Sequence, residues 1–220
     1  MTAMCIIACE TVKDELEYSI KECGKSFDIL WIESGLHNTP NKLTIRLQEE
    51  LDQIDGCERV LLCFGTCGNA VLGLKTGRFE LIMPRVDDCI SLLFGSVKAR
   101  RDYDKEAAAY YLTEGWLRGE RNLLVEYDYS VEKYGAEQAK EIADMMYGHY
   151  RTMALFEPIN GDVTDLLKAT ENLSSILELQ QKVLSPSVSY ITDLLSGPWS
   201  EDKFIIKAPF TTIEADDIYL

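Results

Sequence analysis

The sequence predicts an α/β protein with a mostly parallel sheet, helices on both faces in a Rossmann-like three-layer arrangement, and a helical C-terminal half. Short apolar segments alternate with amphipathic helical segments through the first half of the chain, as in βαβ units. The apolar segments are nearly continuous runs of hydrophobic residues, typical of strands buried on both faces. No repeat or low-complexity linker divides the chain, so we expect a single α/β domain over residues 1–220.

The first half contains five predicted strands and three predicted helices. The strands are expected at residues 4–8, 27–32, 59–64, 79–83 and 110–112. A helix over 12–23 ends at Gly24, and a second begins at Thr39-Pro40, a capping hydroxyl followed by proline at the first helical position. The apolar residues of this second helix recur every three or four positions, so the helix is expected to bury one face. A short third helix is expected at 87–94, with acidic residues at its favourable end.

The second half is predicted to be richer in helix. Apolar residues between 136 and 146 share one helical face, and residues 166–184 are expected to form one or two amphipathic helices. Short strands are predicted at 153–156 and 204–206. The last residues, 214–220, are acidic and are expected to be solvated.

The charge of the chain excludes two classes of partner. It has 22 Lys and Arg against 37 Asp and Glu, a formal net charge of −15, so we expect neither nucleic acid nor an anionic membrane surface as a primary partner. No apolar run approaches the roughly 20 residues that span a bilayer, and the N-terminus lacks the basic region of a secretory signal. We therefore expect a cytoplasmic protein that acts on a small molecule.

Seven cysteines in such a protein predict free thiols rather than a disulfide framework. Clustered thiols in a reducing compartment indicate metal binding or catalysis more often than crosslinks. Free cysteine also packs as a small hydrophobic residue, and we expect only this of Cys5, Cys23 and Cys57.

Sulfur-containing or polar residues follow every predicted strand of the first half. In open α/β sheets ligands bind at the carboxyl ends of the strands, so these segments are expected to converge on one edge. The segments, in chain order, are Cys9-Glu10, the run from Glu33 to His37, the run from Gly65 to Asn69, the run from Pro84 to Cys89, and Thr113-Glu114-Gly115-Trp116.

Three of these residues form a candidate metal site. Cys67, Cys89 and His37 would supply two thiolates and one imidazole to zinc or another soft-ligand metal, leaving one coordination position open. Gly65 and Gly68 would let the chain turn tightly and leave the Cys67 thiol accessible. The three ligands are far apart in sequence, so the hypothesis depends on topology; a plain glycine turn, a packed Cys89 and a surface His37 are the structural alternatives.

Neighbouring residues are candidates for substrate binding and catalysis. Arg85, presented by the turn that Pro84 fixes, could hold a carboxylate or phosphate, and Asp88 could tune the Cys89 thiol. Both residues could instead be structural, Asp88 as a helix cap. Trp116, Tyr111 and Tyr147 could wall an apolar pocket beside them, although aromatic residues at such positions more often belong to a core. Gly65, Gly68 and Trp116 are the candidates for cofactor binding.

Three segments in this order resemble the uncharacterised family called domain of unknown function 1638: GTCGNAVLGL, MPRVDDCISLLFGS and YYLTEGW, preceded by GLHNTPNKL. The resemblance covers most of the chain. It implies a single α/β domain and assigns His37, Cys67, Cys89, Arg85, Asp88, Gly115 and Trp116 to the family pattern. It also implies an association with corrinoid-dependent methyltransferases, near whose genes members are often encoded; such enzymes are then possible partners and a corrinoid a possible cofactor.

Two other functions remain open at this point. A cofactor-independent racemase or isomerase could use the two thiols on opposite faces of a carbon acid, although the Thr- and Asn-rich motifs of such racemases are absent. A non-enzymatic protein that binds a corrinoid or a metal cluster is the other. A redox role for Cys63 and Cys67 is weaker, because their spacing differs from that of thioredoxin-like pairs.

Overall fold

A computed structural model describes residues 3–119, 122–159 and 161–219 of the chain. It confirms the mixed α/β class and the mostly parallel strand arrangement. The strands are β1 Met4–Cys9, β2 Asp28–Ile32, β3 Arg59–Cys63, β4 Glu80–Pro84, β5 Ala109–Leu112, β6 Thr152–Phe156, β7 Gln180–Leu184 and β8 Phe204–Lys207. The helices are α1 Lys13–Glu22, α2 Pro40–Gln53, α3 Cys89–Leu93, α4 Val97–Glu106, α5 Glu114–Leu117, α6 Leu123–Tyr134, α7 Ala136–Tyr147, α8 Thr164–Ile176, α9 Ser189–Ser196 and α10 Ala215–Ile218.

The larger sheet has the strand order β2-β1-β3-β4-β8. Its first four strands are parallel, and only β8 runs antiparallel, against β4. Strand β1, which lies between β2 and β3, is apolar along its whole length, so Ile6 can pair beside Ile29 on one side and Leu61 on the other without exposing a polar face. The carboxyl ends of β1 to β4 therefore reach one edge of this sheet.

The smaller sheet differs from the single sheet that the sequence predicted. Strands β5, β6 and β7 pair with one another in parallel and form a separate three-stranded sheet. The prediction that helix extends to residue 184 is wrong for its last part, because α8 ends at Ile176 and residues 180–184 form β7. All five residues of β7 pair with β6, a non-local interaction that overrides the leucine-rich helical pattern before it.

Each sheet has its own cluster of buried hydrophobic residues, and aromatic side chains join the two. The ring of Phe94 packs edge-on against Tyr111 of β5 and Phe156 of β6, with centroids 5.6 and 5.4 Å apart. The Thr113 hydroxyl, after β5, donates to the Thr11 carbonyl, after β1, over 3.2 Å. These contacts fix the carboxyl end of β5 beside the carboxyl edge of the larger sheet.

The acidic C-terminal segment is folded back onto the domain rather than free. It forms α10, whose Asp217 carboxylate pairs with Lys207 of β8 at 2.7 Å. The Tyr219 hydroxyl donates to the Asn69 side chain at 2.5 Å. Among the helices that the described residues form, none has the length and apolar character needed to cross a membrane.

Candidate functional site

A cavity of about 440 Å³ lies where the carboxyl edge of the larger sheet meets the end of β5. The segments that follow β1, β2, β3, β4 and β5 all contribute to its lining. It brings together the three candidate metal ligands, His37, Cys67 and Cys89, with Asp88 and Trp116. The fold therefore brings distant segments of the chain to one edge of the larger sheet and places these five side chains in the same cavity.

The Cys67 segment is held against the segment that follows β4 by backbone hydrogen bonds. The Thr66 amide donates to the Val86 carbonyl at 2.9 Å, and the Cys67 amide donates to the Asp87 carbonyl at 3.0 Å. Gly65 makes this approach possible, because a Cβ atom there would lie 2.5 Å from the Cα atom of Asp88. Gly65 thus lies behind the cavity and positions its wall.

The Cys67 backbone adopts a left-handed conformation, with φ of 46°. Gly68 and Asn69 follow with φ of 66° and 69°, so three consecutive residues turn the chain in the same sense. Left-handed geometry is costly for a side chain such as cysteine and is concentrated at functional positions in proteins. The turn leaves the Cys67 side chain at the cavity, partly exposed, whereas Cys9 and Cys89 are buried.

A third thiol, Cys9 at the end of β1, joins Cys67 and Cys89 in the lining. A hydrogen bond with the Cys67 thiol, together with burial, raises the pKa of Cys89 well above its usual range. A hydrogen bond with the Cys89 thiol, followed by burial, does the same to the pKa of Cys9. Cys9 and Cys89 are therefore held in the protonated form, and Cys9 also donates to the Thr11 hydroxyl at 3.2 Å.

His37 is held in one orientation by a backbone contact and an aromatic contact. Its Nδ1 atom lies 2.6 Å from the Ser34 carbonyl oxygen, which can only accept, so Nδ1 carries the proton and Nε2 keeps its lone pair. The imidazole packs against the Trp116 indole with ring centroids 4.1 Å apart. Burial lowers the pKa of His37, which favours the neutral ring. A neutral imidazole with one nitrogen fixed by a carbonyl is the usual state of a metal-ligating histidine.

The candidate ligands share the cavity without yet surrounding a common point. Across residues 3–119, 122–159 and 161–219, no three His, Cys, Asp or Glu side chains are grouped closely enough to hold a metal ion as they stand. An ion at this place would have to displace the thiol protons and draw the side chains together.

The structure gives Asp88 two contacts that stabilise the fold. Its carboxylate caps α3 by accepting from the Ser91 amide at 2.8 Å and the Ser91 hydroxyl at 2.9 Å. It also accepts from the Arg100 guanidinium at 3.1 Å, and Arg100 bonds Asp104 as well. Burial works against the charge of Arg100, but Asp88 and Asp104 outweigh it and raise the pKa of Arg100. The charges at this wall are therefore already paired.

Arg85 is not brought into the cavity. Its guanidinium donates to the carbonyl oxygens of Glu201, Phe204 and Asp217, which lie before β8, at its start and in α10. The orientation follows from the pairing of β4 with β8, which places the residue after Pro84 beside the segment preceding β8. The role in substrate binding that the sequence suggested for Arg85 is replaced by a role in holding that segment.

Aromatic side chains from the smaller sheet form the opposite wall. Trp116, Tyr110, Tyr111 and Tyr150 line the cavity, and Tyr110 and Tyr150 pack edge-on with centroids 5.5 Å apart. The Trp116 indole nitrogen is buried, and within the described part of the chain it has no hydrogen-bond partner. Of the three aromatic residues that the sequence indicated for such a wall, Trp116 and Tyr111 line the cavity and Tyr147 does not, whereas Tyr110 and Tyr150 were not predicted. Cys9 was placed at this edge of the sheet but was not assigned to the site.

The fold and this cavity define a mostly parallel α/β protein with a thiol-lined pocket at the carboxyl edge of its larger sheet. The chain belongs to the family described as Protein of unknown function (DUF1638), whose model matches residues 31–195. No curated protein and no solved structure matches the chain. His37, Cys67, Cys89 and Trp116 lie inside the matched region, whereas Cys9 precedes it.

Proposed function

We propose that the protein binds a soft metal ion, preferably zinc, through Cys67, Cys89 and His37, and that a small-molecule substrate occupies the cavity beside the ion. The observation that carries the proposal is the meeting of these three side chains, from segments after three different strands, in one cavity of about 440 Å³. Thiolate and imidazole are the ligands that zinc takes most readily in proteins.

The state of His37 suits metal binding. His37 is neutral, with Nδ1 occupied by the Ser34 carbonyl and Nε2 available. Cys67 and Cys89 line the same cavity, and an ion bound there would displace their thiol protons. A zinc ion with an open position lowers the pKa of a bound thiol or water and so supplies a nucleophile at neutral pH.

The placement of the two cysteines disfavours the two-base racemase alternative. A racemase of that type needs a substrate carbon between two thiols, one on each face. Here two backbone hydrogen bonds hold the segments that carry Cys67 and Cys89 side by side, so both thiols approach the cavity from the same side. The metal hypothesis makes use of this proximity, whereas the racemase hypothesis would require the thiols to separate.

The size of the cavity limits how a corrinoid could be involved. A volume of about 440 Å³ is within the range of sites for drug-sized ligands, and a whole corrinoid is much larger than such ligands. We therefore propose that, if the protein acts in corrinoid-linked methyl or thiol metabolism, a partner methyltransferase presents the corrinoid, and the cavity holds only the small molecule that gives or receives the methyl group.

Zinc binding by reduced protein tests the proposal. We expect about one zinc per chain after purification without chelator, and tight zinc uptake by calorimetry after chelator treatment. Cys67→Ser or Cys89→Ser should weaken zinc affinity by at least about 100-fold, and His37→Ala by at least about 10-fold. Cys57→Ser is the matched control, because Cys57 is a free thiol outside the cavity. Equal affinities in all five proteins, or no uptake, would exclude this site.

A further inference from the structure

The three thiols of the cavity differ in their access to reagents. Cys67 is partly exposed at the cavity, whereas Cys89 and Cys9 are buried, Cys89 at 7% and Cys9 at 4% exposure. A thiol reagent that enters the cavity therefore meets Cys67 first. The left-handed turn at residues 67–69 presents this side chain, and Gly65 holds the turn against the backbone of Asp88.

The segment that carries Cys89 lies directly beside the segment that carries Cys67. Two backbone hydrogen bonds, from Thr66 to Val86 and from Cys67 to Asp87, hold the two segments together. A Cβ atom at Gly65 would lie 2.5 Å from the Cα atom of Asp88, the residue before Cys89, so the two backbones are in close contact. Both thiols line the same cavity, and Cys89 is therefore well placed to react with a modified Cys67.

We propose that Cys67 and Cys89 form a reversible disulfide, in which Cys67 reacts first with the oxidant and Cys89 then attacks the resulting mixed disulfide. The inference concerns the placement of two thiols in one cavity and does not depend on the metal proposal. It has a consequence for that proposal, because a disulfide would remove both sulfur ligands at once, and the cavity would take up metal only when reduced.

The oxidant in this reaction is a low-molecular-weight disulfide such as glutathione disulfide. The Cys67 thiolate attacks one sulfur of the oxidant, forming a mixed disulfide at Cys67 and releasing one small thiol. The Cys89 sulfur then attacks the Cys67 sulfur, forming the Cys67–Cys89 bond and releasing the second small thiol. The two protein thiols lose two electrons and two protons in total, which convert the oxidant into two thiols.

Peptide mapping after exposure to glutathione disulfide tests the proposal. Metal-free, reduced full-length protein is incubated with the disulfide, free thiols are alkylated, and crosslinked peptides are identified by mass spectrometry. We expect the Cys67–Cys89 crosslink to predominate and to reverse with dithiothreitol. Unmodified Cys67, a stable mixed disulfide at Cys67, or a crosslink between Cys9 and Cys89 would each overturn the assignment.

Two variants separate the roles of the cysteines. Cys89→Ser should trap glutathione on Cys67, because the resolving thiol is missing, and Cys67→Ser should leave Cys89 unmodified.

Cys23→Ser is the control, since Cys23 is a partly exposed thiol whose neighbour is the Ser196 hydroxyl at 3.8 Å rather than another thiol. It should form the Cys67–Cys89 crosslink to the same extent as wild type. A trapped adduct of equal yield in wild type and Cys89→Ser would contradict the resolving role. Circular dichroism of each variant verifies the fold.

Discussion

The imidazole of His37 lies against the indole of Trp116, with ring centroids 4.1 Å apart and planes inclined by 32°. This contact joins the segment after β2 in the larger sheet to the segment after β5 in the smaller one. It shields one face of the imidazole from water, while the Ser34 carbonyl fixes Nδ1. The two sheets thereby set the protonation state of a single side chain in the cavity.

Removing the Trp116 ring should raise the pKa of His37. Burial lowers that pKa in the folded protein, and Trp116→Leu would admit water to the exposed ring face. Titration of the imidazole carbon-bound protons by NMR should give a His37 pKa below about 6.5 in wild type and a higher value in the variant. His37→Gln identifies the resonance. An unchanged pKa in Trp116→Leu would mean that the indole does not control the solvation of this ring.

Substitution of Asp88 should distinguish its structural contacts from a role in chemistry. Asp88→Ala removes the cap of α3 and leaves Arg100 with fewer partners, so we expect a loss of about 1–3 kcal/mol in the free energy of unfolding. Asp88→Asn keeps an oxygen acceptor for the Ser91 amide, so its free energy of unfolding should decrease by less than that of Asp88→Ala.

The control for Asp88 is its neighbour Asp87. The Asp87 side chain is 65% exposed and pairs with Arg101 at 3.4 Å, so Asp87→Ala should change the unfolding free energy by less than about 0.5 kcal/mol. Urea unfolding of the three variants provides the comparison. If Asp88→Ala were as stable as Asp87→Ala, the structural role of Asp88 would be wrong.

A methyl group at residue 65 should disturb the cavity wall. In Gly65→Ala the Cβ atom would lie 2.5–2.6 Å from three backbone atoms of Asp88, and backbone cannot yield as a side chain can. We expect a loss of about 1–3 kcal/mol in the unfolding free energy and a changed reactivity of Cys67 toward Ellman's reagent.

Gly77→Ala provides the comparison for the Gly65 variant. Its Cβ atom would meet the edge of the Phe79 ring at 3.0 Å, and Gly77 is not among the residues that line the cavity. This variant should leave the Cys67 reaction rate at the wild-type value. A Gly65→Ala protein with wild-type stability and thiol reactivity would show that the close approach to Asp88 is not needed.

Glu15 should make the stability of the protein depend on pH. Burial raises the pKa of this carboxyl group to about 7, above its usual value of about 4.3 in unfolded chains. Between these two values the folded state holds a proton that the unfolded state has released, so the free energy of unfolding falls as pH rises. The decrease in the free energy of unfolding that Glu15 causes ends just above pH 7 and is on the order of 3 kcal/mol.

Replacing this carboxyl group by an amide should remove that dependence. Glu15→Gln cannot ionise, so its stability relative to wild type should increase between pH 5 and pH 8. The neighbouring charges, Asp14, Glu114 and Arg118, are unchanged in the variant and contribute equally to both proteins. Denaturant unfolding at the two pH values measures the difference. Parallel stability profiles for the two proteins would show that Glu15 ionises normally.

The larger sheet could be predicted from the sequence because its signals are local. Strands β1, β3 and β4 are short continuous apolar runs, and Pro40 marks the start of α2 through its preference for the first helical turn. Residues with sulfur or imidazole directly after these runs indicated the site. Cys9 gave the same signal, being the residue at the end of β1, and was expected at this edge without being chosen as a candidate ligand.

The rest of the architecture depends on pairing between residues distant in sequence. Residues 180–184 contain two glutamines and a lysine, so their strand conformation comes from β6 rather than from an apolar pattern. The orientation of Arg85 follows from the return of the chain at β8, more than 100 residues later. Neither the separate second sheet nor the contacts of Arg85 leave a signal in the neighbouring sequence.

Titration of reduced, metal-free protein with cobalt(II), a spectroscopic substitute for zinc, tests thiolate coordination in the cavity most directly. We predict a thiolate-to-cobalt charge-transfer band that saturates at about one equivalent in wild type and in Cys57→Ser, weakens in Cys67→Ser and Cys89→Ser, and disappears when both are replaced. A wild-type protein without this band, or a band of undiminished intensity in the double variant, would contradict metal binding by Cys67 and Cys89.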